Sequence, residues 1–270
     1  MSWLRFMTLY SFRKYNPDWC VQLYVAKESG GGIKGWKDGH QQDNFTYKGE
    51  SYYDRIKELN VDIIPWELKR EGHPNENTKW ASIPPSQKSN FFKWGQLATQ
   101  GGVYADMDIV FTGSLSNLYD RMNAQRTDTA LTYVARPGYF SIGFMASAPN
   151  NVFFKAAYEN CFNAFDKDQY QGAGVLTLYK KWKNLDAVRS KFPKLKIYNV
   201  SMSYIHFLDS FNIPKIFNGD YTGWMKKDTI GLHWYAGHPM AQKFNTEVNA
   251  SNYKSFNHTL GILLKRVLDK

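Results

Sequence analysis

Two cysteines in a 270-residue chain rule out the disulfide framework on which small secreted domains depend. Cys20 and Cys161 both sit in apolar patterns, which suggests reduced, buried thiols and a cytoplasmic setting. Long apolar runs are also lacking: no stretch is long enough to cross a bilayer, and the first residues do not form a signal-peptide pattern. Acidic residues are in the minority, 24 Asp and Glu against 34 Lys and Arg, so the chain carries a formal charge of +10. Such a balance suits anionic partners: a diphosphate-sugar, a lipid-linked acceptor at an acidic membrane surface, or nucleic acid. The basic residues are scattered, and groups such as Lys180-Lys181 or Lys226-Lys227 form no nucleic-acid motif, so nucleic acid is the least favoured of the three. One substantial core can be buried at this length, which predicts a single domain over 1–270.

What the chain does have is aromatics, 17% of its residues. Most of them serve packing, but Trp36, Trp66, Trp80 and Trp224 lie in polar or turn-like surroundings, where a ring can stack on a sugar face. Strand patterns around 19–25, 61–66, 103–111, 129–134, 195–200 and 229–235 alternate with helical patterns around 2–15, 50–59, 86–100, 150–165 and 172–183. This order predicts an α/β fold with a mixed, mostly parallel sheet flanked by helices. Ser2 is placed to cap the first helix. The segment from Glu28 to Glu50, rich in Gly, Lys and Gln, reads as a long loop able to act as a lid. From Lys254 onward Phe256, Leu260, Leu263, Leu264 and Val267 mark an amphipathic helical tail, 254–270, able to pack on the core or touch a membrane surface.

The densest chemical signal runs from Ser89 to Val110. Phe91, Trp94, Leu97 and Ala98 recur at helical spacing, and Gly101 falls where a left-handed cap closes a helix. The period then changes to two, so a strand would carry Asp106 and Asp108 on one face and turn Met107 away. Paired carboxylates at a strand end suit a hard divalent cation that also takes phosphate oxygens.

The helix, diglycine, aromatic and Asp-x-Asp order resembles the glycosyltransferases with a DXD-containing sugar-binding region, a family of capsular polysaccharide and mannosyl transferases related to the large glucosylating toxins. The resemblance implies a GT-A (Rossmann-like) fold and a role in polysaccharide biosynthesis. It implies further that Asp106 contacts the donor ribose or the metal shell, and that Asp108 ligates Mn²⁺ or Mg²⁺. Tyr104 belongs to the same pattern on the donor side. Where the family's helix supplies an Asp and an Arg to the donor sugar, this chain has Asn90 and Lys93, which exchanges an ionised acceptor for an amide and a planar fork for a point charge. Near the C-terminus, Gly231 to Pro239 resembles the family's closing segment, with His233 on its first His as a metal or diphosphate ligand and Trp234 or Tyr235 over the donor. His238-Pro239 replaces the family's Ser-Trp pair.

Two further segments follow the family order. Phe140 to Pro149 matches a stretch whose small residues line the cleft before a helix, and Tyr170 to Thr177 matches one that lies near the acceptor. The family's usual opening strand is not seen ahead of the first helix, which implies either a start missed upstream or a sheet edge built differently. The expected activity is transfer of a hexose from a UDP- or GDP-sugar to a glycan, a lipid-linked or a protein acceptor, with the anomeric configuration retained. A nucleotide-sugar hydrolase, a nucleotidyltransferase and a non-catalytic sugar- or nucleic-acid-binding protein are the alternatives.

Overall fold

The computed structural model describes residues 1–27, 47–69, 83–135 and 138–269. The expected lid lies outside them over 28–46, as do Trp36 and Trp80. The first helix, Trp3–Tyr15, starts where the side chain of Ser2 accepts a hydrogen bond from the Arg5 amide. It buries Trp3, Leu4, Phe6 and Met7 in the largest core cluster. At roughly 1.5–3 kcal/mol for each large apolar side chain taken out of water, this face alone holds the helix down.

Eight strands are described: β1 (Gln22–Ala26), β2 (Asp62–Trp66), β3 (Gly102–Ala105), β4 (Ile109–Phe111), β5 (Thr129–Val134), β6 (Tyr139–Ser147), β7 (Ile197–Asn199) and β8 (Gly231–His233). They pair in the orders β1-β2, β3-β6-β5-β7 and β4-β8. The sheet system is mixed and flanked by helices, as the pattern predicts. Its pairing is less parallel than expected: β1-β2 and β5-β7 are parallel, whereas β3-β6, β5-β6 and β4-β8 are antiparallel. The reason is β6, a nine-residue strand absent from the sequence reading, which enters between β3 and β5 and runs against both.

The helix Pro85–Thr99 explains how polar chemistry reaches the interior. Phe91, Trp94 and Leu97 are buried in the second core cluster, against the helix Val152–Ala164, with Trp94 donating its indole N–H to the Ala173 carbonyl at 2.9 Å. The same helix also buries Asn90 and Lys93, residues that a surface helix would leave in water. An ammonium buried without a partner costs several kcal/mol, so Lys93 must meet a negative group. Gly101 (φ 72°) and Gly102 (φ 94°) turn the chain out of this helix into β3. At Gly101 a Cβ would stand 2.6 Å from the Ser147 carbonyl oxygen, so glycine is needed for space as well as for its torsion.

Two expectations are corrected here. Cys20 is exposed, and only Cys161 is buried; both are free thiols. Asp106 and Asp108 do not share the face of one strand, because the 103–111 pattern breaks into β3 and β4 with a turn over 107–108. The C-terminal tail forms a short turn, Tyr253–Ser255, and then the helix Thr259–Leu268, whose Leu260, Leu263, Leu264 and Val267 are all spent on the core. Among the described residues no helix is long and apolar enough to cross a membrane.

Candidate active site

The turn between β3 and β4 is pinned from both ends. Asp106 donates its amide to the Gly143 carbonyl on β6 (2.8 Å), and Asp108 gives its carbonyl to the Trp234 amide (2.9 Å). Ile109 pairs with His233 across β4-β8, which sets the imidazole beside the Asp108 carboxylate. Three chain segments far apart in sequence therefore converge. Ligand atoms of Asp106, Asp108 and His233 lie within 4.8 Å of one another.

Each carboxylate has a distinct environment. Asp106 Oδ1 accepts from Tyr104 Oη at 2.6 Å and from Lys93 Nζ at 3.1 Å, while Lys93 also donates to the Ile142 carbonyl and lies over the Tyr104 ring. The charge buried by the helix thus finds its partner here. Asp106 Oδ2 faces the other way, toward Gly143 and His233: a Cβ on Gly143 would stand 2.9 Å from that oxygen and 2.9 Å from His233 Cε1. Asp108 Oδ2 accepts from the Ala236 amide at 2.7 Å. Asp108 Oδ1 lies 2.8 Å from His233 Nε2, is shut off from solvent and has no well-formed hydrogen-bond partner.

The donor set tests the cation expectation. Two carboxylates and an imidazole held this close give an oxygen, oxygen, nitrogen donor set that suits Mn²⁺ or Mg²⁺. The residues fit a divalent cation held by Asp106, Asp108 and His233. They open on a cleft of about 410 Å³, whose walls include Ser141, Tyr170, Gln171, Ser210 and Tyr235.

Residues 6–127, which contain the helix, the diglycine turn and both aspartates, match the family model described as a glycosyltransferase sugar-binding region containing a DXD motif. That stretch is a DXD-containing glycosyltransferase sugar-binding region. No curated protein matches it. Solved structures similar to it include PaToxG glycosyltransferase, at 16% identity over 72% of this chain and 70% of that one, with a TM-score of 0.43. The glycosyltransferase GlyE of Streptococcus pneumoniae TIGR4 is 13% identical over 98% of this chain and 57% of its own length, with a TM-score of 0.44. The apo form of mouse xyloside xylosyltransferase 1 is 8% identical over 87% and 93% of the two chains, with a TM-score of 0.40.

The remaining residues named from sequence fall in different places. Tyr104 and Lys93 are gathered around Asp106, but Lys93 is only 2% exposed and is tied up there, so it does not stand in the cleft as the donor contact expected of it. Asn90 packs against Gly174, where an added Cβ would meet its Nδ2 at 2.8 Å, next to the Gln171 wall. Trp234 is fully buried in the core and does not line the cleft. Its neighbour Tyr235 does, through a left-handed backbone (φ 54°) that folds the phenol onto His233 with ring centroids 4.1 Å apart. Lys226 and Lys227 are exposed and away from the cleft walls. The small residue foreseen in the 140–149 segment is Gly143, and Tyr170, Gln171 and Val175 of the 170–177 segment line the cleft.

Ser141, within the 140–149 segment, also lines the cleft, while sequence reasoning missed His206 and Ser210. Ser210 carries no motif, and His206 follows a one-turn helix, Met202–Tyr204, in a connection with no periodicity to single it out.

The electrostatics of the pair are coupled. Burial alone would raise the Asp108 carboxyl, but the facing His233 imidazole and the Ala236 amide outweigh it and bring it down to about 2. Burial would lower His233, yet Asp108 and then Asp106 raise it above 6.5. Asp108's folded value lies below its ordinary 3.8, so its contribution to stability is full above about pH 4 and is lost as pH falls toward about 2. His233 acts at the other end: its contribution is full below about 6.5 and fades as pH rises through the raised value. In EDTA, melting temperature should therefore fall more steeply between pH 4 and 2 in the native chain than in Asp108→Asn. Parallel curves over that range would show that the pair contributes nothing.

Gly143→Ala gives a second expected result. The new methyl would press on Asp106 Oδ2 and His233 Cε1 together, so calorimetric Mn²⁺ affinity should fall by about 10-fold or more, in the range seen when ligand orientation is disturbed. The metal-free melting temperature should fall by only a few degrees. Unchanged affinity would mean that Asp106 Oδ2 takes no part.

Proposed function

We propose that this glycosyltransferase moves a hexose from a UDP- or GDP-sugar to an acceptor hydroxyl, with a divalent cation at Asp106, Asp108 and His233 and with retention of anomeric configuration. The observation that carries the reading is the convergence of those three side chains inside the cleft of a DXD region. In the reaction the bond from the anomeric carbon to the diphosphate oxygen breaks with its electron pair leaving on the diphosphate. A bond from the acceptor oxygen to that carbon forms, and the hydroxyl proton is released. A cation bound here supplies positive charge against the leaving diphosphate.

The chain's own residues do the positioning. Lys93 and Tyr104 hold one Asp106 oxygen and so fix which oxygen faces the cleft. The Ala236 amide does the same for Asp108. Tyr170, Tyr235, Ser141, Ser210 and Gln171 present rings and neutral hydrogen-bonding groups to a sugar. Among the described residues no lysine or arginine lines the cleft, which favours a neutral hydroxyl-bearing acceptor, a glycan or a protein side chain, over a lipid phosphate.

The test is release of free nucleoside diphosphate from a panel of UDP- and GDP-sugars with Mn²⁺ or Mg²⁺, against EDTA, with NMR assignment of the product anomer. Turnover of one donor that EDTA abolishes and acceptor accelerates supports the transfer. Equal release with and without acceptor would point to the hydrolase alternative instead.

A further inference from the structure

We propose that His206 is a positioning residue for His233, holding its ring plane and its Nδ1–H tautomer so that Nε2 is free to bind the cation; this rests on the cation site proposed above. The two histidines are 27 residues apart in sequence and are brought together by backbone, not by chance contact of side chains. The His233 amide donates to the Ile205 carbonyl at 2.8 Å, and the His206 amide donates to the Met202 carbonyl at 2.8 Å, so the segment carrying His206 is fastened alongside β8. His206 is 2% exposed, its ring centroid lies 5.1 Å from that of His233, and the planes are inclined at 65°.

The nitrogen atoms can be assigned in only one way if Nε2 of His233 is to be a ligand. That nitrogen faces Asp108 Oδ1 and must offer a lone pair, so the ring proton resides on Nδ1. His233 Nδ1 lies 3.4 Å from His206 Nδ1, which must then accept. An accepting Nδ1 places the His206 proton on Nε2, and Ser141 Oγ lies 2.9 Å from that atom, able to take it. The hydroxyl of Tyr235, 3.0 Å from His206 Nδ1, shares the single lone pair of that nitrogen with the longer His233 contact. Both nitrogens of the His206 ring are thereby used, and Ser141 and Tyr235, both cleft-wall residues, flank it on either side. A ligating histidine is ordinarily anchored through its second nitrogen by a carboxylate, a carbonyl or a water; in this chain a second imidazole occupies that place. No sequence motif marks it, since the pairing depends on the Met202–His206 connection running beside β8.

Mn²⁺ binding, followed by calorimetry and by the electron paramagnetic resonance of free Mn²⁺, tests this without any turnover assay. His206→Phe keeps the ring volume and removes the acceptor, and His206→Asn keeps an acceptor close to the place of Nδ1. The expected result is a 10- to 100-fold loss of Mn²⁺ affinity in His206→Phe, most of it restored in His206→Asn, with both variants melting within a few degrees of the native chain in EDTA. Equal affinities in the native chain and His206→Phe overturn the positioning role while leaving the cation site intact. Equal losses in the two variants also overturn it, because the acceptor would then not be what matters. Should His206→Phe fail to fold, His206→Gln takes its place, with an acceptor displaced from the Nδ1 position and the same expected loss. A native chain that binds no Mn²⁺, and that Asp108→Ala does not distinguish, overturns the cation site and this inference together.

Discussion

Asp108→Asn should abolish cation-dependent donor turnover, with kcat falling by about 10³-fold, while the fold survives in weakened form. The catalytic loss follows from what the substitution removes: the anionic charge of Asp108 at the point where Asp106, Asp108 and His233 meet. Electrostatic groups aimed at developing charge are worth roughly 10²–10³ each, and the loss of a first ligand removes most of the cation's occupancy as well. The structural cost has a different source. Asp108 Oδ2 holds the Ala236 amide, which an Asn oxygen can still do, but the Asp108–His233 ion pair is lost in a setting where the two side chains are 14% and 9% exposed. Removing one member of such a pair costs about 3 kcal/mol. Donor turnover, Mn²⁺ calorimetry and melting in EDTA measure the three effects separately. Turnover within 10-fold of the native chain would remove Asp108 from the site.

Lys93→Met should cost about 2 kcal/mol of stability and roughly 10²-fold in donor turnover. The ammonium is almost wholly enclosed, and its partner Asp106 is 29% exposed, so water can take over part of the carboxylate's solvation; the stability cost therefore falls below that of a fully buried pair. Turnover suffers more because Asp106 Oδ1 would keep only the Tyr104 hydroxyl and the carboxylate could rotate, and a ligand displaced by about 1 Å costs on the order of 10²-fold. Lys93→Arg is the informative control. It keeps the charge but brings a larger planar group into a site closed by the Tyr104 ring and the Ile142 carbonyl, so it should recover stability only in part. A Lys93→Met chain with native kcat would show that Asp106 needs no such fixing.

The sequence was most legible where one physical rule acted alone. Helical spacing located Pro85–Thr99 to within a residue of the 86–100 expectation, and the 129–134 strand pattern matches β5 at both ends. It was least legible where neighbours decided the outcome. β6 was overlooked because Gly143 and small neighbours break its pattern, and the same glycine is what lets Asp106 and His233 approach. The Asp-x-Asp strand was misread for a related reason: the 103–111 run alternates well enough for one strand, but pairing to β6 on one side and β8 on the other splits it at the turn.

The sequence by itself determined the region: Asp106 and Asp108 after a diglycine turn mark a glycosyltransferase sugar-binding region containing a DXD motif, and His233 downstream was expected beside them. Tertiary structure alone decided how those groups are held. Residue spacing cannot tell that Lys93 is buried against Asp106 instead of reaching a donor, that Tyr235 and not Trp234 faces the cleft, or that His206 stands behind His233. Those facts depend on which strands pair and on how much water each charge loses, and both are properties of the folded chain as a whole.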